Sequence, residues 1–280
     1  MSTPPRSRPF DIVLFGATGF TGKLVAEYLA ETRTEDLTWA LAGRSREKLE
    51  AVRADLAHID PRLADLPLLL ADSGDDASLA AIAEKARVIC TTVGPYAKYG
   101  RGLVTACAEA GTHYCDLTGE VAFIRDAIDR ADARARETGA RLVPCCGFDS
   151  IPSDLGVLLL AEHFKQQGRQ IAWAKLYVER MKGYVSGGTL DSLFNLLDEA
   201  RGNRELRRLA ADPYALLPDR TRDRGPDGRD QMNIAWDEDA GAWTGPFVMA
   251  STNTRVVRRS NALLDFAYGR DFRYAEVSSF

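Results

Sequence analysis

The segment from Asp11 to Gly22, reading DIVLFGATGFTG, constrains this chain more than any other stretch of its length. Ile12 to Phe15 form an unbroken apolar run, the pattern of a strand buried on both faces. Gly16, Gly19 and Gly22 then recur every third residue, and a helix is expected to start near Phe20. Lacking side chains, Gly16 and Gly19 let the backbone approach a pyrophosphate, and Gly22 lets the helix pack tightly on the strand. The helix N-terminus then presents its free N–H groups to the phosphates. Glycines also serve turns for purely conformational reasons, so a structural βα turn is the alternative. The context favours a dinucleotide: an apolar strand before, an amphipathic helix with Leu24, Val25, Tyr28 and Leu29 as its apolar face after, and a second strand soon behind. Thr18, Phe20 and Thr21, which lie between and beside the glycines, join them as nucleotide-binding candidates.

The second strand, expected over Leu37–Ala42, ends at Gly43-Arg44-Ser45. An NAD site places Asp or Glu here to hold the ribose 2′-hydroxyl. A guanidinium at Arg44, with the Ser45 hydroxyl and the Lys48 ammonium nearby, instead suits the extra 2′-phosphate of NADP, which an acid would repel. The alternative is that Arg44 and Lys48 are solvated residues at a helix start.

The rest of the first half alternates strands and helices in the rhythm of a Rossmann-type, doubly wound parallel α/β sheet. Strands are expected at Pro67–Ala71, Val88–Val93, His113–Asp116 and Arg141–Cys145, with helices over Arg46–His58, Asp76–Glu84, Gly102–Ala110 and Glu120–Thr138. Asp72 ends the third strand, placed to approach an adenine. Gly94, Pro95 and Tyr96 follow the fourth, at the carboxyl edge where ligands bind. Asp149 and Ser150 follow the sixth on the same edge. Asp149 is a cofactor-binding candidate that could equally cap the helix after Pro152.

Beyond about residue 150 the pattern changes, giving three expected parts: a flexible arm over 1–9, an NADP-binding domain over 10–153, and an α+β domain for substrate or dimerisation over 154–280. The second domain is expected to hold an apolar helix over Asp154–Phe164 and a strand over Ile171–Met181. A turn at Ser186–Thr189 opens a helix over Leu190–Ala200, where capping suits Thr189 and Ser192 also lies. A further helix over Phe247–Leu264 and a strand over Phe272–Phe280 follow. Asp219–Asp230 carries both charge signs and no apolar residue, and reads as a mobile surface loop. The chain stops at this strand without a cap, as expected of a domain incomplete at its C-terminus.

A net charge of −4 and a pI near 5.6, with no basic stripe, argue against a nucleic-acid binder. No apolar run nears the ~20 residues of a membrane span, and residues 1–9 lack a signal core. A cytoplasmic chain is expected, with contact at the plasma membrane surface and a homodimer both open to it. The five cysteines read as reduced thiols. Cys107, His113 and Cys115 match no common zinc spacing, so no metal is expected.

Several motifs together carry a resemblance. They are FGATGFTG over 15–22, Ala42-Gly43-Arg44, Gly94-Pro95-Tyr96 with Gly100, HYCDLTGE over 113–120, GFDSIPSD over 147–154, SGGT over 186–189 and RRSNAL over 258–263. In these the chain resembles the saccharopine dehydrogenase-like oxidoreductases, and within them the bacterial trans-acting enoyl reductases, over nearly its whole length. The resemblance implies an NADP-binding first domain and a second domain covering the cofactor. It also implies reduction of a carbon–carbon double bond in a lipid or polyketide-derived intermediate of glycolipid assembly. Members are usually longer, and some animal relatives are associated with lipid droplets.

Two rival chemistries fit poorly. A Tyr-x-x-x-Lys pair is missing at every tyrosine: Tyr96 is followed four residues on by Gly100, Tyr114 by Thr118 and Tyr177 by Met181. Acyl-enzyme chemistry would need Cys145 or Cys146 with a histidine base, which His58, His113 and His163 do not offer. Direct hydride transfer from NADPH remains, with Tyr96 the candidate proton donor or else a residue packed beneath the nicotinamide. The resemblance implies that the substrate is a small lipid-like molecule. The rival reading is a lipid-associated scaffold that binds the nucleotide without turnover.

Overall fold

The computed structural model describes residues 8–32, 37–180 and 203–280, in two compact units. The first comprises residues up to Thr118 together with Asp126–Pro144. The second comprises Gly119–Arg125 and Cys145–Phe280. The division falls after Pro144 rather than after Ser153, because Asp149, Ser150 and Ser153 bond to Asn253 of the second unit.

In the first unit, β1 (Phe10–Phe15), β2 (Trp39–Gly43), β3 (Leu68–Leu70), β4 (Ala86–Thr91), β5 (His113–Cys115) and β6 (Leu142–Val143) form one sheet. Its order is β3-β2-β1-β4-β5-β6, and every pairing is parallel. This is the doubly wound order expected, with the reversal between β1 and β4. Val13 of β1 lies between Ala40 of β2 and Ile89 of β4, all three at 0% exposure, which is why these strands read as continuous apolar runs. The helices of this unit are α1 (Phe20–Glu31), α2 (Arg46–Ile59), α3 (Asp76–Lys85), the short α4 (Tyr96–Tyr99), α5 (Arg101–Ala110) and, from Asp126 on, α6 (Val121–Thr138). One core packs Leu14, Leu41 and Trp39 against Ala26 and Ala30 of α1 and Leu49, Val52 and Leu56 of α2. The buried stripe of α1 is Gly22, Ala26 and Ala30; Leu24 and Tyr28, expected on that face, lie outward. Small residues win there because α1 must approach the sheet closely.

The expected flexible arm is pinned at its end. The Arg8 guanidinium donates to the carbonyls of Ala83 and Ala86, both at 2.6 Å, and also bonds Thr112 and the Ala110 carbonyl.

The second unit holds α7 (Ile151–Gln166), β7 (Trp173–Val178), α8 (Arg204–Ala211), β8 (Ala235–Asp237), β9 (Ala242–Pro246), α9 (Ala250–Leu263) and β10 (Arg273–Ser279). Its sheet runs β7-β10-β9-β8, with β7 parallel to β10 and the other pairs antiparallel. Val157 and Ala161 of α7, Val257 of α9, and Tyr268, Phe272 and Tyr274 form its core. α7 starts a turn earlier than expected, with Pro152 in the first turn, where the missing N–H costs nothing. Ser150, not Asp149, is its N-cap residue.

The segment Asp219–Asp230 departs from its expected mobility. Asp227 Oδ2 accepts from Arg258 Nε at 2.7 Å, Asp230 pairs with Arg255 and accepts from Thr254 Oγ1 at 3.0 Å, and Asp223 is buried. Its carboxylates Asp227 and Asp230 are partners of α9, while Arg220, Arg222, Arg224 and Arg229 keep an exposed face. The sequence motif Ser186–Thr189, the expected helix Leu190–Ala200 and Ser192 lie outside the described residues.

Candidate nucleotide site

Three glycines build the turn between β1 and α1, each for a different reason. Gly16 has φ +89°, and a Cβ there would stand 2.7 Å from Val93 Cγ2 and 2.8 Å from Thr92 Oγ1. A Cβ on Gly22 would lie 2.1 Å from the Gly16 carbonyl oxygen, so only glycine lets α1 sit against the turn. Gly19 is unlike both: its nearest neighbour to such a Cβ is Gly16 O at 3.4 Å, which leaves the space above it open. Gly19 is also the N-cap of α1, with no side-chain cap and no acidic residue in the first turn. The first N–H groups of α1 therefore have no side-chain acceptor of their own helix, the condition for binding an anion.

β4 ends at Thr91, two residues before its expected end. This frees Thr92 and Val93 to wall the turn: Thr92 N donates to Phe15 O at 3.0 Å and Thr92 Oγ1 to Gly16 O at 3.2 Å. A cavity of about 290 Å³ opens here, lined by Phe15, Gly16, Thr18, Gly19, Gly43, Arg44, Ala71, Ser73, Thr92, Val93, Gly94 and Tyr99. It collects the carboxyl ends of β1, β2, β3 and β4 at the reversal of strand order, the ligand crevice of such sheets.

Five expected cofactor residues line this cavity: Gly16, Thr18, Gly19, Arg44 and Gly94. Arg44 is exposed directly after β2, with no carboxylate between Gly43 and Arg46 to oppose an anion. The others lie beside the cavity or away from it. Phe20 is 74% exposed at the start of α1, Thr21 follows it, and Gly22 is buried beneath the turn. Ser45 accepts from Lys48 N at 3.4 Å as the N-cap of α2, and the Lys48 side chain is exposed. Asp72 Oδ1 accepts from Gly74 N at 2.9 Å and shapes the turn that carries Ser73. Asp149 belongs to the second unit, where its carbonyl oxygen accepts from Asn253 Nδ2 at 2.8 Å.

Tyr96 is only 4% exposed and is absent from the cavity lining. Its hydroxyl donates to Thr91 O at 3.1 Å and accepts from Leu117 N at 3.4 Å, while its ring packs against Gly94. As placed, the phenol holds the Gly94–Pro95 turn, whose peptide bond is cis, and its proton is engaged by the backbone. The tyrosine that does reach the cavity is Tyr99, 44% exposed, three residues further along α4. Sequence reasoning missed it, together with Ser73, Thr92 and Val93. The available signal was position, since each lies within a few residues of a strand's carboxyl end.

At the end of β5, Tyr114 donates to Asp116 Oδ2 at 2.7 Å, and burial pushes the phenol well above its ordinary pKa. None of the five cysteines forms a disulfide within the described residues, and Cys107 is buried, its thiol pushed up by desolvation.

The profile of the saccharopine dehydrogenase NADP binding domain matches residues 12–143. A Mycobacterium tuberculosis protein grouped with the trans-acting enoyl reductases is 48% identical over 286 residues, covering 100% of this chain and 67% of its own length. The trans-acting enoyl reductase of Mycobacterium ulcerans is 47% identical over 279 residues, covering 97% of this chain and 66% of its own. Among solved structures, apo saccharopine dehydrogenase from Saccharomyces cerevisiae aligns with a TM-score of 0.47 and 18% identity, over 60% of this chain and 34% of that one. The chain thus spans about two thirds of the length of these mycobacterial relatives. The residues fit the nucleotide: an uncapped helix start, a glycine turn with open space only at Gly19, and Arg44 in place of an acid. With an NADP-binding domain of this type and such identity along its whole length, the chain belongs to the saccharopine dehydrogenase-like NADP-dependent oxidoreductases, in the trans-acting enoyl reductase group.

Proposed function

We propose that this chain supplies the cofactor domain and part of the substrate domain of an NADPH-dependent enoyl reductase. The substrate is a lipid-like or polyketide-derived molecule, reduced during glycolipid assembly. The observation that carries this reading is the 48% identity to trans-acting enoyl reductases, which extends across both units. The α1 N-terminus with Gly16, Thr18 and Gly19 would hold the pyrophosphate, and Arg44 the 2′-phosphate, with Ser45 and Lys48 beside it. Ala71, Ser73 and Tyr99 would enclose the adenosine, with Asp72 setting the turn beneath it. Tyr96 would fix Gly94 and Pro95 as a floor beneath the nicotinamide, a positioning role in keeping with its buried hydroxyl. When bound, NADPH supplies the hydride that adds to one alkene carbon. We assign the chain to the cytoplasm, meeting its substrate at a membrane surface; among the described residues no helix is long and apolar enough to cross one.

A second reading, nucleotide binding without turnover, draws on one observation: the Tyr96 proton is already donated to Thr91 O. Stopped-flow mixing of the NADPH-loaded protein with enoyl thioesters separates the two. Enoyl reduction requires single-turnover oxidation of bound NADPH with formation of the saturated thioester. Tight NADPH binding with no oxidation by any enoyl thioester would favour the scaffold.

A further inference from the structure

A buried carboxylate follows β5. Asp116 is 2% exposed; its Oδ2 accepts from the Tyr114 hydroxyl at 2.7 Å and its Oδ1 from Thr118 N at 3.0 Å. Both donors are neutral. Burial, and after it the charge of Asp116, holds the Tyr114 phenol well above its ordinary pKa, so the proton stays on the phenol and the negative charge on Asp116. An asparagine would close the same turn onto Thr118 N and still accept from Tyr114, without the cost of taking a charge out of water. The shape of the turn therefore does not account for the charge.

Within the first unit, that turn is joined to the wall of the nucleotide cavity. Leu117 N donates to the Tyr96 hydroxyl at 3.4 Å, the hydroxyl donates to Thr91 O at 3.1 Å, and the Tyr96 ring lies against Gly94, which lines the cavity. β5 is the parallel neighbour of β4, with Cys115 opposite Cys90, so Asp116 follows at the level of Thr91. The cavity gathers Arg44, after β2, and Ser73, after β3, on one side of the reversal in strand order. A dinucleotide laid across that reversal with its 2′-phosphate at Arg44 carries its nicotinamide to the other side, over the ends of β4 and β5.

We infer that the buried charge of Asp116 poises the nicotinamide for hydride donation by favouring bound NADP+ over bound NADPH. The inference rests on the nicotinamide position at Gly94 and Pro95 proposed above, and holds whatever the acceptor. Transfer of a hydride moves two electrons and one proton from a neutral dihydronicotinamide to the acceptor and leaves a pyridinium ring with one positive charge. An enoyl acceptor takes the hydride at one alkene carbon and a further proton, from water, at the other. A carboxylate fixed in a low-dielectric wall attracts the ring charge as it forms, with no reorganisation needed at that moment. Asp116 acts here as a positioning residue: it does not line the cavity, and Leu117 and Tyr96 link it to Gly94.

The test is a binding measurement that needs no acceptor. Calorimetric titration gives Kd for NADPH, NADP+ and 2′,5′-ADP, which lacks the nicotinamide. Asp116→Asn and Asp116→Ser are neutral replacements that can still accept from Thr118 N. Each should raise the ratio of the NADP+ Kd to the NADPH Kd about tenfold, the scale of one unit charge at an effective dielectric of about 20. For a two-electron couple this is a rise of about 30 mV in the potential of the bound cofactor. Binding of 2′,5′-ADP should not change, which also reports that the fold is kept. Tyr114→Phe loses the same hydrogen bond but keeps the charge, and its ratio should stay close to that of the unaltered chain. An unchanged ratio in both Asp116 variants would overturn the inference. So would an equal shift in Tyr114→Phe, since the shape of the turn would then be the cause. Asp72→Asn separates the inference from the cofactor position beneath it, because Asp72 lies just after β3 on the Arg44 side of the reversal. A ratio moved by Asp72→Asn and not by the Asp116 variants would put the nicotinamide over that side and reject the position as well as the inference.

Discussion

Arg258 and Asp227 form an ion pair at 2.7 Å, with side chains only 7% and 9% exposed. Arg258 also donates to Pro213 O at 2.8 Å and Tyr274 O at 3.1 Å, while Asp227 accepts from Tyr274 N at 3.3 Å. The pair therefore ties the 219–230 segment to α9 and β10 through groups that have given up their water.

Removing one partner should leave the other charged and buried. Asp227→Ala is expected to destabilise the second unit by about 3–5 kcal/mol, well above the ~0–1 kcal/mol of an exposed pair. Urea denaturation followed by tryptophan fluorescence measures this. A loss below about 1 kcal/mol would return the segment to the status of a solvated loop.

That segment marks where the sequence stops being readable. Its composition is that of a surface loop, and its partners Arg255 and Arg258 lie 25 and 31 residues further along. Pairing at that distance leaves no trace in local pattern. The β8–β9 hairpin escaped for another reason: β8 is three residues long, and only Asp237 and Gly241, at φ +61°, mark its turn. The parallel sheet was legible because its central strands are buried on both faces and must be apolar throughout. The glycine turn was legible because close backbone approach excludes every other residue at Gly16 and Gly22. Tyr96 and Tyr99 share one short helix, and which of the two lines the cavity depends on helix phase relative to β4, which spacing alone does not set.

Gly22 and Gly19 should respond oppositely to substitution. Gly22→Ala drives a Cβ into the Gly16 carbonyl, and rigid backbone cannot yield, so a stability loss of about 3 kcal/mol or more is expected. Gly19→Val meets open space in the free protein, and its melting temperature should stay close to that of the unaltered chain. NADPH at a hundredfold excess over Kd should add about 2.7 kcal/mol to the unaltered protein and nothing to Gly19→Val. An undiminished NADPH shift in Gly19→Val would place the nucleotide elsewhere.

Arg44 should decide between the two nicotinamide cofactors. Arg44→Asp removes a charge-assisted hydrogen bond worth about 1.5–3 kcal/mol and adds repulsion toward a 2′-phosphate. Calorimetric titration should show NADPH affinity falling at least tenfold while NADH affinity holds or rises. Equal losses for both would mean that Arg44 supports the fold and not the phosphate.

Glu276 should make stability depend on pH in the direction opposite to a salt-bridged carboxylate. Burial pushes its pKa above the ordinary glutamate range, and the hydrogen bonds from Ser153, Tyr274 and Asn253 only partly offset this. The charge of Asp230 raises it further. The folded state therefore keeps a proton that the unfolded chain has already lost. Since the slope of unfolding free energy with pH follows protons bound in the unfolded state minus those bound in the folded state, the contribution of Glu276 falls as pH rises. It is fully present below the ordinary glutamate pKa and is lost as pH climbs through the raised value. Glu276→Gln keeps the acceptor oxygen for Asn253 and Tyr274 but cannot ionise. Urea denaturation across this range should show the unaltered chain losing stability relative to Glu276→Gln as pH increases. The other carboxylates, Asp154 with its raised pKa among them, are common to both proteins and cancel in the difference. A difference that stays flat with pH would mean that Glu276 ionises in the folded protein as readily as in water.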